Sequence, residues 1–569
     1  MPHIVTQPCC SDGSCVYACP VNCIHPTPDE PGFATAEMLH IDPEVCVDCG
    51  ACVSACPVGA IAPDTKLSAD QVPFVEINAA YYPERLYVEK LPPTSKLAPV
   101  IEAPHVRSRP SGPLRVAIVG SGPAAMYSAD ELLTQQGVCV NVFDRLPTPY
   151  GLVRAGVAPD HQATKRVTKL FDCMADQPGF EFYLNVDVGK DVMHEELLRH
   201  HHAVLYAVGA SADRRLEIPG FGMAGTATAT DMVAWINAHP DAADFTVPLD
   251  HERVVIVGNG NVALDVARIL TADPERLEPT DVSRTALEAL RTSAVREVVI
   301  TARRGPEHSA FTLPEIVGLT GSARVVLSRG DHELVRQDLA TCTDSLTRRK
   351  LELLASLDVA DGEDGGTRIR MAYRLTPRRV LGEDRATGVE FGVPGTDEVH
   401  TLDAGLVLSS IGYRGRPIPD LPFDEATAVV PNRGGRVIDP STATPLTGCY
   451  VAGWIKRGPT GFIGTNKSCA QETVNALVDD FNSGALADPS STLASLDSLI
   501  RRRAPQVVDR LGWTAIDEAE IARGRAEGRP RDKFTTVPEM LAAAAARTTG
   551  PVWRRILVPA ARPLSVRHS

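Results

Sequence analysis

The sequence predicts a small α+β N-terminal module built around paired cysteine runs, followed by an α/β body in which one dinucleotide-binding fold is inserted into another. Three observations carry this reading. Nine of the fourteen cysteines fall within the first 56 residues, a strand–glycine turn–helix signature opens at Arg115, and the same signature recurs at Arg253. A chain of 569 residues has room for three or four domains, each able to bury a core. The expected boundaries are 1–91 for the cysteine module, 92–113 for a linker, 114–213 for the first part of the first nucleotide unit, 214–370 for the second unit, and 371–569 for the return to the first unit and the tail.

The second cysteine run is Cys46-x2-Cys49-x2-Cys52-x3-Cys56-Pro57. This spacing lets one loop offer three thiolates to an iron–sulfur cube while the fourth cysteine reaches a second cluster. The first run, Cys9-x2-Asp12-x2-Cys15-x3-Cys19-Pro20, keeps the spacing but carries Asp12 in place of the middle cysteine. With the fourth cysteines crossing over, Cys19, Cys46, Cys49 and Cys52 are expected to hold a [4Fe–4S] cluster, leaving Cys9, Cys15 and Cys56 for the other. Three thiolates suit [3Fe–4S], or an oxygen-ligated [4Fe–4S] if Asp12 binds the fourth iron, carboxylate being the harder ligand. Cys10 and Cys23 are then spare. A disulfide framework or zinc site fits the paired runs poorly.

Charge narrows the partners. The formal net charge is −14, and residues 1–70 hold nine acids (Asp12, Asp29, Glu30, Glu37, Asp42, Glu44, Asp48, Asp64 and Asp70) against Lys66 alone. Nucleic acid is excluded as a natural partner, and a basic docking surface on a reductase is favoured. The N-terminus lacks a basic region followed by an apolar core, and no run of 18 apolar residues occurs, so a cytoplasmic protein without a membrane span is expected. Residues 92–113 are proline-rich and cannot propagate a helix or a central strand; they read as a tether that leaves geometry free.

In the body, the strand before Gly120 and Gly122 leads through a tight turn into a helix, and the next strand ends at Asp144, about twenty residues on. Such glycines let a pyrophosphate approach a helix N-terminus, and the acid can accept ribose hydroxyls. At Gly258-Asn259-Gly260-Asn261-Val262 the device repeats, but the following strand ends in Arg303-Arg304, a pair suited to a 2′-phosphate and therefore to NADP rather than NAD. The first site is expected to hold FAD. The segments 203–210 and 405–413 read as crossings between the two units, and 448–463 as the turn where flavin and nicotinamide meet. The histidines His200, His201 and His202 read as the polar edge of a strand rather than a metal tract.

Several motifs carry a resemblance. GNGNVALDVAR at 258–268, GLVRAGVAPDH at 151–161, Arg303-Arg304-Gly305-Pro306 and GWIKRGPTG at 453–461 closely resemble adrenodoxin reductase and the bacterial NADPH–ferredoxin reductases, over roughly residues 113–540. Residues 1–70 resemble seven-iron bacterial ferredoxins, which also carry a spare cysteine at the position of Cys23 but commonly have a longer first spacing. The whole chain looks like the fused ferredoxin/ferredoxin–NADP reductases of mycobacteria and related actinobacteria. That implies an α+β ferredoxin-like domain followed by an α/β tandem Rossmann-like flavoprotein. It further implies FAD contacts at Ala124, Asp144, Leu152, Val188, Trp454, Gly461, Phe462 and Ile463, with Asp144 replacing the usual glutamate. NADP contacts are implied at Asn259, Gly260, Asn261, Val262, Arg303, Arg304, Glu315 and Gly461, and a histidine and aspartate near the flavin match His161 and Asp265.

The chemistry expected is carriage of electrons from NADPH to FAD as hydride and onward singly to iron–sulfur clusters of the chain's own or a separate ferredoxin. A P450 system is one candidate terminal acceptor, and a monomer is expected. Outside the cysteine module Cys139, Cys173, Cys342, Cys449 and Cys469 stand alone, so a disulfide reductase is disfavoured and these residues read as small core side chains. Two alternatives remain at this stage: an electron-transfer subunit like the small chain of glutamate synthase, and a non-enzymatic redox carrier or sensor.

Overall fold

The computed structural model describes residues 2–82, 97–98, 103–110, 112–360 and 366–546. In the cysteine module, two antiparallel ribbons pair His3–Val5 with Ile61–Pro63 and Ile24–His25 with His40–Ile41. Each cysteine run enters a one-turn helix, Ser14–Ala18 or Ala51–Ala55, through a left-handed glycine with φ 74°, so the two halves repeat one backbone. The helix Pro73–Ala80 locks the ribbons together through Asn78. Its buried amide accepts from Val5 N (3.2 Å) and Ile41 N (2.9 Å) and donates to Val5 O and Phe74 O (both 2.8 Å), which satisfies every polar atom of the side chain.

The body contains two seven-stranded sheets. The first runs in the order Asn432–Arg433, Arg436–Ile438, Pro445–Val451, Ala203–Tyr206, Arg115–Val119, Cys139–Asp144, Phe180–Leu184, its last five strands parallel. The second, parallel throughout, runs Thr226–Thr228, Leu406–Ser409, Arg253–Val257, Glu297–Thr301, Arg368–Ala372, Val325–Leu327, Asp358–Val359. Burial on both faces explains the unbroken apolar runs: Val254, Val255 and Ile256 are each at most 1% exposed. The chain leaves the first sheet after Tyr206 and returns at Asn432. An antiparallel ribbon of Ala212–Asp213 with Tyr413–Arg414 joins the two crossings.

The expected boundary at 370 falls inside the strand Arg368–Ala372. The three-stranded meander Thr376–Leu381, Gly388–Gly392, Val399–Asp403 and the strand Leu406–Ser409 extend the second unit to 409, because Leu406–Ser409 pairs with both Thr226–Thr228 and Arg253–Val257. The meander is rich in arginine and half-exposed, so its pattern does not announce a sheet attached to a buried core.

The linker also differs from expectation. Residues 83–96, 99–102 and 111 lie outside the described residues, but 103–110 are fixed to the helix Thr465–Ser483. Arg107 N donates to Asn482 Oδ1 at 2.8 Å, Asn482 Nδ2 donates to His105 O at 2.7 Å, and the Arg109 guanidinium sits 3.9 Å from the centre of the Phe481 ring. The cysteine module docks directly on the body. Glu37 accepts from Leu313 N (2.7 Å) and Lys350 Nζ (2.5 Å), and Glu76 pairs with Arg349 at 3.2 Å, so the module's acids do meet basic residues of the body.

All three residues of the histidine tract are buried: His200 Nδ1 lies 2.8 Å from Thr492 O, His201 spans Leu197 O and Asn141 Oδ1, and His202 Nδ1 accepts from Arg115 N. Cys449, Cys469 and Cys342 are buried as expected, whereas Cys139 is half-buried and Cys173 is exposed on its helix. The C-terminal residues 547–569 lie outside the described residues. Among the described residues no helix is long and apolar enough to cross a membrane.

Candidate redox site

The two cysteine sets separate in space. Cys19, from the first run, lines one cavity with Cys46, Cys49 and Cys52. Cys23 joins them, its sulfur 3.4 Å from that of Cys19. At the other end, Cys9, Cys15 and Cys56 lie close enough to one another and to Asp12 to raise the cost of ionising each thiol. The Asp12 carboxylate, 7% exposed, accepts from Ser14 Oγ. Burial pushes Cys9 and Cys52 each up to about 11, and Cys10 and Cys15 well above the ordinary thiol range. Thiols in this setting stay protonated unless a cation compensates the thiolate, which iron does on ligation. All the cysteines are free, and both donor sets fit iron–sulfur clusters.

At the first nucleotide turn, Gly120 adopts φ 99° and its missing Cβ would lie 2.5 Å from Ala207 O, so only glycine lets the two strand ends approach. A Cβ on Gly122 would meet nothing within 4 Å, leaving an open cradle at the start of the helix Pro123–Leu133. Asp144 ends its strand facing this turn and accepts from Ser121 N (3.0 Å), Ser121 Oγ (2.5 Å) and Leu146 N (2.9 Å). Burial raises its pKa and the serine bond lowers it. Ala124 is so close to Gly453 that a Cβ there would come within 2.6 Å, which brings the 453–463 turn against the first glycine turn. Trp454 caps that turn by donating from Nε1 to Thr460 O at 3.1 Å, and its ring lies 5.2 Å from that of Tyr413. Leu152 is 39% exposed at the same mouth, and Val188 follows Val186, whose N–H donates to Asp144 O.

The second turn repeats the plan. A Cβ on Gly258 would lie 2.1 Å from Ser410 O, while Gly260 faces open space. Asn261 Oδ1 accepts from Thr312 N at 2.8 Å and Asn259 Oδ1 from Ala310 N at 3.3 Å, tying the turn to the 310–312 loop. Asn259 Nδ2 is buried and has no partner among the described residues, as expected of a donor aimed at a ligand. Val262 is half-buried in the helix that follows, Asn261–Thr271. Arg303 and Arg304, just past the strand Glu297–Thr301, are exposed.

The catalytic candidates converge, with an addition that the sequence does not reveal. Ligand atoms of His161, Asp265 and Glu315 all lie within 4.8 Å of one another. Asp265 accepts from Arg268 Nη2 at 2.6 Å, and the same guanidinium holds Asp160 at 2.6 and 3.0 Å. Glu315, implied by resemblance as a nucleotide contact, faces this cluster and accepts from Gln7 Nε2 of the cysteine module at 3.0 Å. Burial and then the Asp265 charge raise its pKa, with His161 opposing. Arg268 was visible in the motif three residues after Asp265; nothing in the sequence marks Gln7.

A second unannounced contact joins the 453–464 turn to the cysteine module. Gly464 N–H donates to Cys10 O at 2.7 Å, and Lys467 Nζ reaches Ser14 Oγ at 3.4 Å. A Cβ on Gly464 would lie 2.2 Å from Asp12 N, so the loop carrying Cys9 to Cys15 is seated directly on the end of the 461–464 segment.

Comparison with known proteins agrees with this geometry. A pyridine nucleotide-disulphide oxidoreductase model matches residues 114–293, and a 4Fe-4S binding domain model matches 39–62, the half that carries the intact cysteine run. The chain is 67% identical over 562 residues to a probable ferredoxin/ferredoxin–NADP reductase of Mycobacterium tuberculosis, covering 98% of this chain and 97% of that one. It belongs to the ferredoxin/ferredoxin–NADP reductase family. A member from Mycobacterium leprae is also 67% identical, over 547 residues, with 96% and 98% covered. Among solved structures, Mycobacterium tuberculosis FprA in complex with NADPH matches with a TM-score of 0.70 at 38% identity, covering 76% of this chain and 99% of that one. The family member described here is thus an oxidoreductase with a pyridine-nucleotide body and an iron–sulfur module.

Proposed function

We propose that this chain is an NADPH–ferredoxin reductase that delivers electrons from NADPH to its own cysteine module and from there to a one-electron acceptor. The single observation that carries this reading is the Gly464–Cys10 hydrogen bond, which joins the turn closing the first nucleotide site to the loop bearing Cys9, Asp12 and Cys15. FAD would be held by Gly120, Gly122, Ala124, Asp144, Leu152, Val188, Trp454, Gly461, Phe462 and Ile463. NADP would be held by Asn259, Gly260, Asn261, Val262, Gly461 and the pair Arg303 and Arg304. Cys19, Cys46, Cys49 and Cys52 would hold [4Fe–4S], and Cys9, Cys15 and Cys56 would hold [3Fe–4S] or, with Asp12, an oxygen-ligated [4Fe–4S]. When bound, these groups convert a two-electron hydride donor into single-electron steps.

The chain's own contribution is binding, orientation and proton handling. Arg303 and Arg304 present exposed guanidiniums where a 2′-phosphate would lie. Each charge-assisted contact is worth about 1.5–3 kcal/mol, so the double substitution R303A/R304A is expected to raise the KM for NADPH about 100-fold while leaving the weaker use of NADH nearly unchanged. Equal losses with both nucleotides would remove the phosphate-reading role. His161 and Asp265, with Glu315 within 4.8 Å of both, are placed to hold or move a proton beside the site, so H161Q should slow reduction by NADPH in stopped-flow without altering flavin content. The proposal as a whole is tested by anaerobic NADPH titration of the purified chain, monitored by flavin absorbance and low-temperature EPR with iron and sulfide counts. Failure of NADPH to bleach the flavin would refute it. A monomer in the cytoplasm is the state proposed, and a P450 system is one acceptor to try.

A further inference from the structure

The cysteine module has two equivalent loop faces, and among the described residues the body covers only one. The internal repeat aligns Cys9 with Cys46, Cys10 with Val47, Ser11 with Asp48 and Asp12 with Cys49. The backbones agree: Ser11 and Asp48 both adopt φ 56°, and Gly13 and Gly50 both adopt φ 74°. On the first face Cys10 is 4% exposed, Ser11 0% and Asp12 7%, and Cys10 O is capped by Gly464 N–H. On the second face Val47 is 58% exposed and Cys49, which lines the four-cysteine cavity, is exposed as well. Where the covered loop carries neutral Ser11, the open one carries Asp48, and Glu44 is exposed nearby. Val53, on the helix that follows, is 37% exposed.

Resting on the electron-transfer reading above, we infer that the face formed by Glu44, Val47, Asp48, Cys49 and Val53 is the port at which an external protein acceptor docks. The partner that fits is a one-electron carrier presenting cationic side chains around a small apolar patch. The first face shows how such a partner sits: a backbone donor over the carbonyl equivalent to that of Val47, with no side chain intervening. The charge arrangement selects the sign. Glu37 and Glu76 pair with Lys350 and Arg349 of the body, whereas Glu44 and Asp48, the latter in contact with His3, are exposed at the open cysteine set. Val47 and Val53 supply the apolar contact, and the carboxylates speed encounter in a salt-dependent way. Electrons would then enter at the Cys9–Cys15 end and leave at the Cys46–Cys52 end.

Horse cytochrome c, a lysine-rimmed haem protein, is the probe. Its equilibrium binding to the holoprotein at low salt, measured by surface plasmon resonance, is expected to weaken at least about tenfold in E44K/D48K, a change of about 1.4 kcal/mol, and by a similar factor in V47K. NADPH-driven reduction of cytochrome c should fall in step, while reduction of ferricyanide and the iron content stay unchanged. E44K alone, which leaves the His3–Asp48 contact intact, should show part of the loss if D48K perturbs the loop. Unchanged binding in all three variants, or an equal loss in the control D29K, where the acid lies near Tyr17 at the covered end, would overturn the port. Absence of ferricyanide reduction in the unaltered protein would instead sink the redox reading, and the binding comparison would still decide the docking face.

Discussion

Replacing Gly464 with alanine is expected to lift the cysteine module off the reductase body and to cut NADPH-driven reduction of cytochrome c about tenfold to a hundredfold, with ferricyanide reduction within about twofold of normal. The residue has helical dihedrals, φ −73° and ψ −27°, so alanine costs nothing in backbone strain and the helix Thr465–Ser483 should form as before. The whole penalty falls at the interface. The new methyl would lie 2.2 Å from Asp12 N and 2.3 Å from Asp12 Cα, backbone atoms that cannot rotate away. Overpacking of this kind costs about 1–3 kcal/mol, and the Gly464–Cys10 hydrogen bond is stretched as well. Glu37 would still hold Lys350 and Leu313 N, and the tether keeps the local concentration of the module high, so docking weakens without vanishing. Small-angle scattering should show a larger radius of gyration. An unchanged radius with unchanged cytochrome reduction would mean that the observed docking is not the electron-transferring one.

This interface also marks the limit of what the residues announce. The cysteine crossover, both glycine turns and the placement of Asp144 and Arg303-Arg304 are legible because each is a local spacing whose chemistry tolerates few substitutes. Glu315 illustrates the next level: its likeness to a nucleotide contact is carried by a motif, yet its actual neighbours His161, Asp265 and Gln7 come from three separate parts of the chain. Gln7 and Gly464 leave no trace in composition or period, since their roles depend on how two finished surfaces meet. The boundary at 370 was misplaced for a related reason. Leu406–Ser409 reads as one more apolar strand, and only its register between Thr226–Thr228 and Arg253–Val257 assigns it to the second unit.

Asp281 is the position where one substitution should cost the most stability. Its carboxylate is 4% exposed and meets Lys165 and Lys533 at 2.8 Å each, while Gln162 Nε2 donates to it at 2.7 Å. The two lysines also bind the Asn237 side chain, and Lys533 donates to Arg154 O, so the cluster ties the 151–165 stretch containing His161 to the second unit and to the C-terminal segment. D281N keeps the shape but leaves two buried ammonium groups without a counter-charge. Breaking a buried pair in this way costs about 3–5 kcal/mol, and about 2–4 °C per kcal/mol for units of this size puts the loss of Tm near 10 °C. The pH dependence separates charge from packing. Burial already lowers Lys165 and Lys533 below the ordinary lysine range, and losing the carboxylate lowers them further. The unfolded chain keeps its lysine protons to about pH 10.4, so it binds more protons than the folded variant, whose stability therefore rises with pH. Asp281 itself is held below the usual carboxylate range by the two lysines, against the burial that would raise it, so the unaltered protein's advantage persists from neutral pH down to the unfolded value of about 3.9 and fades below it. The gap in Tm should accordingly be wide at pH 6 and narrow toward pH 9, where the variant's lysines shed their protons into the adjoining cavity of about 170 Å³. A gap constant across that range would assign the loss to packing, and the tie to His161 would then have to be carried by Gln162 and Asn237 alone.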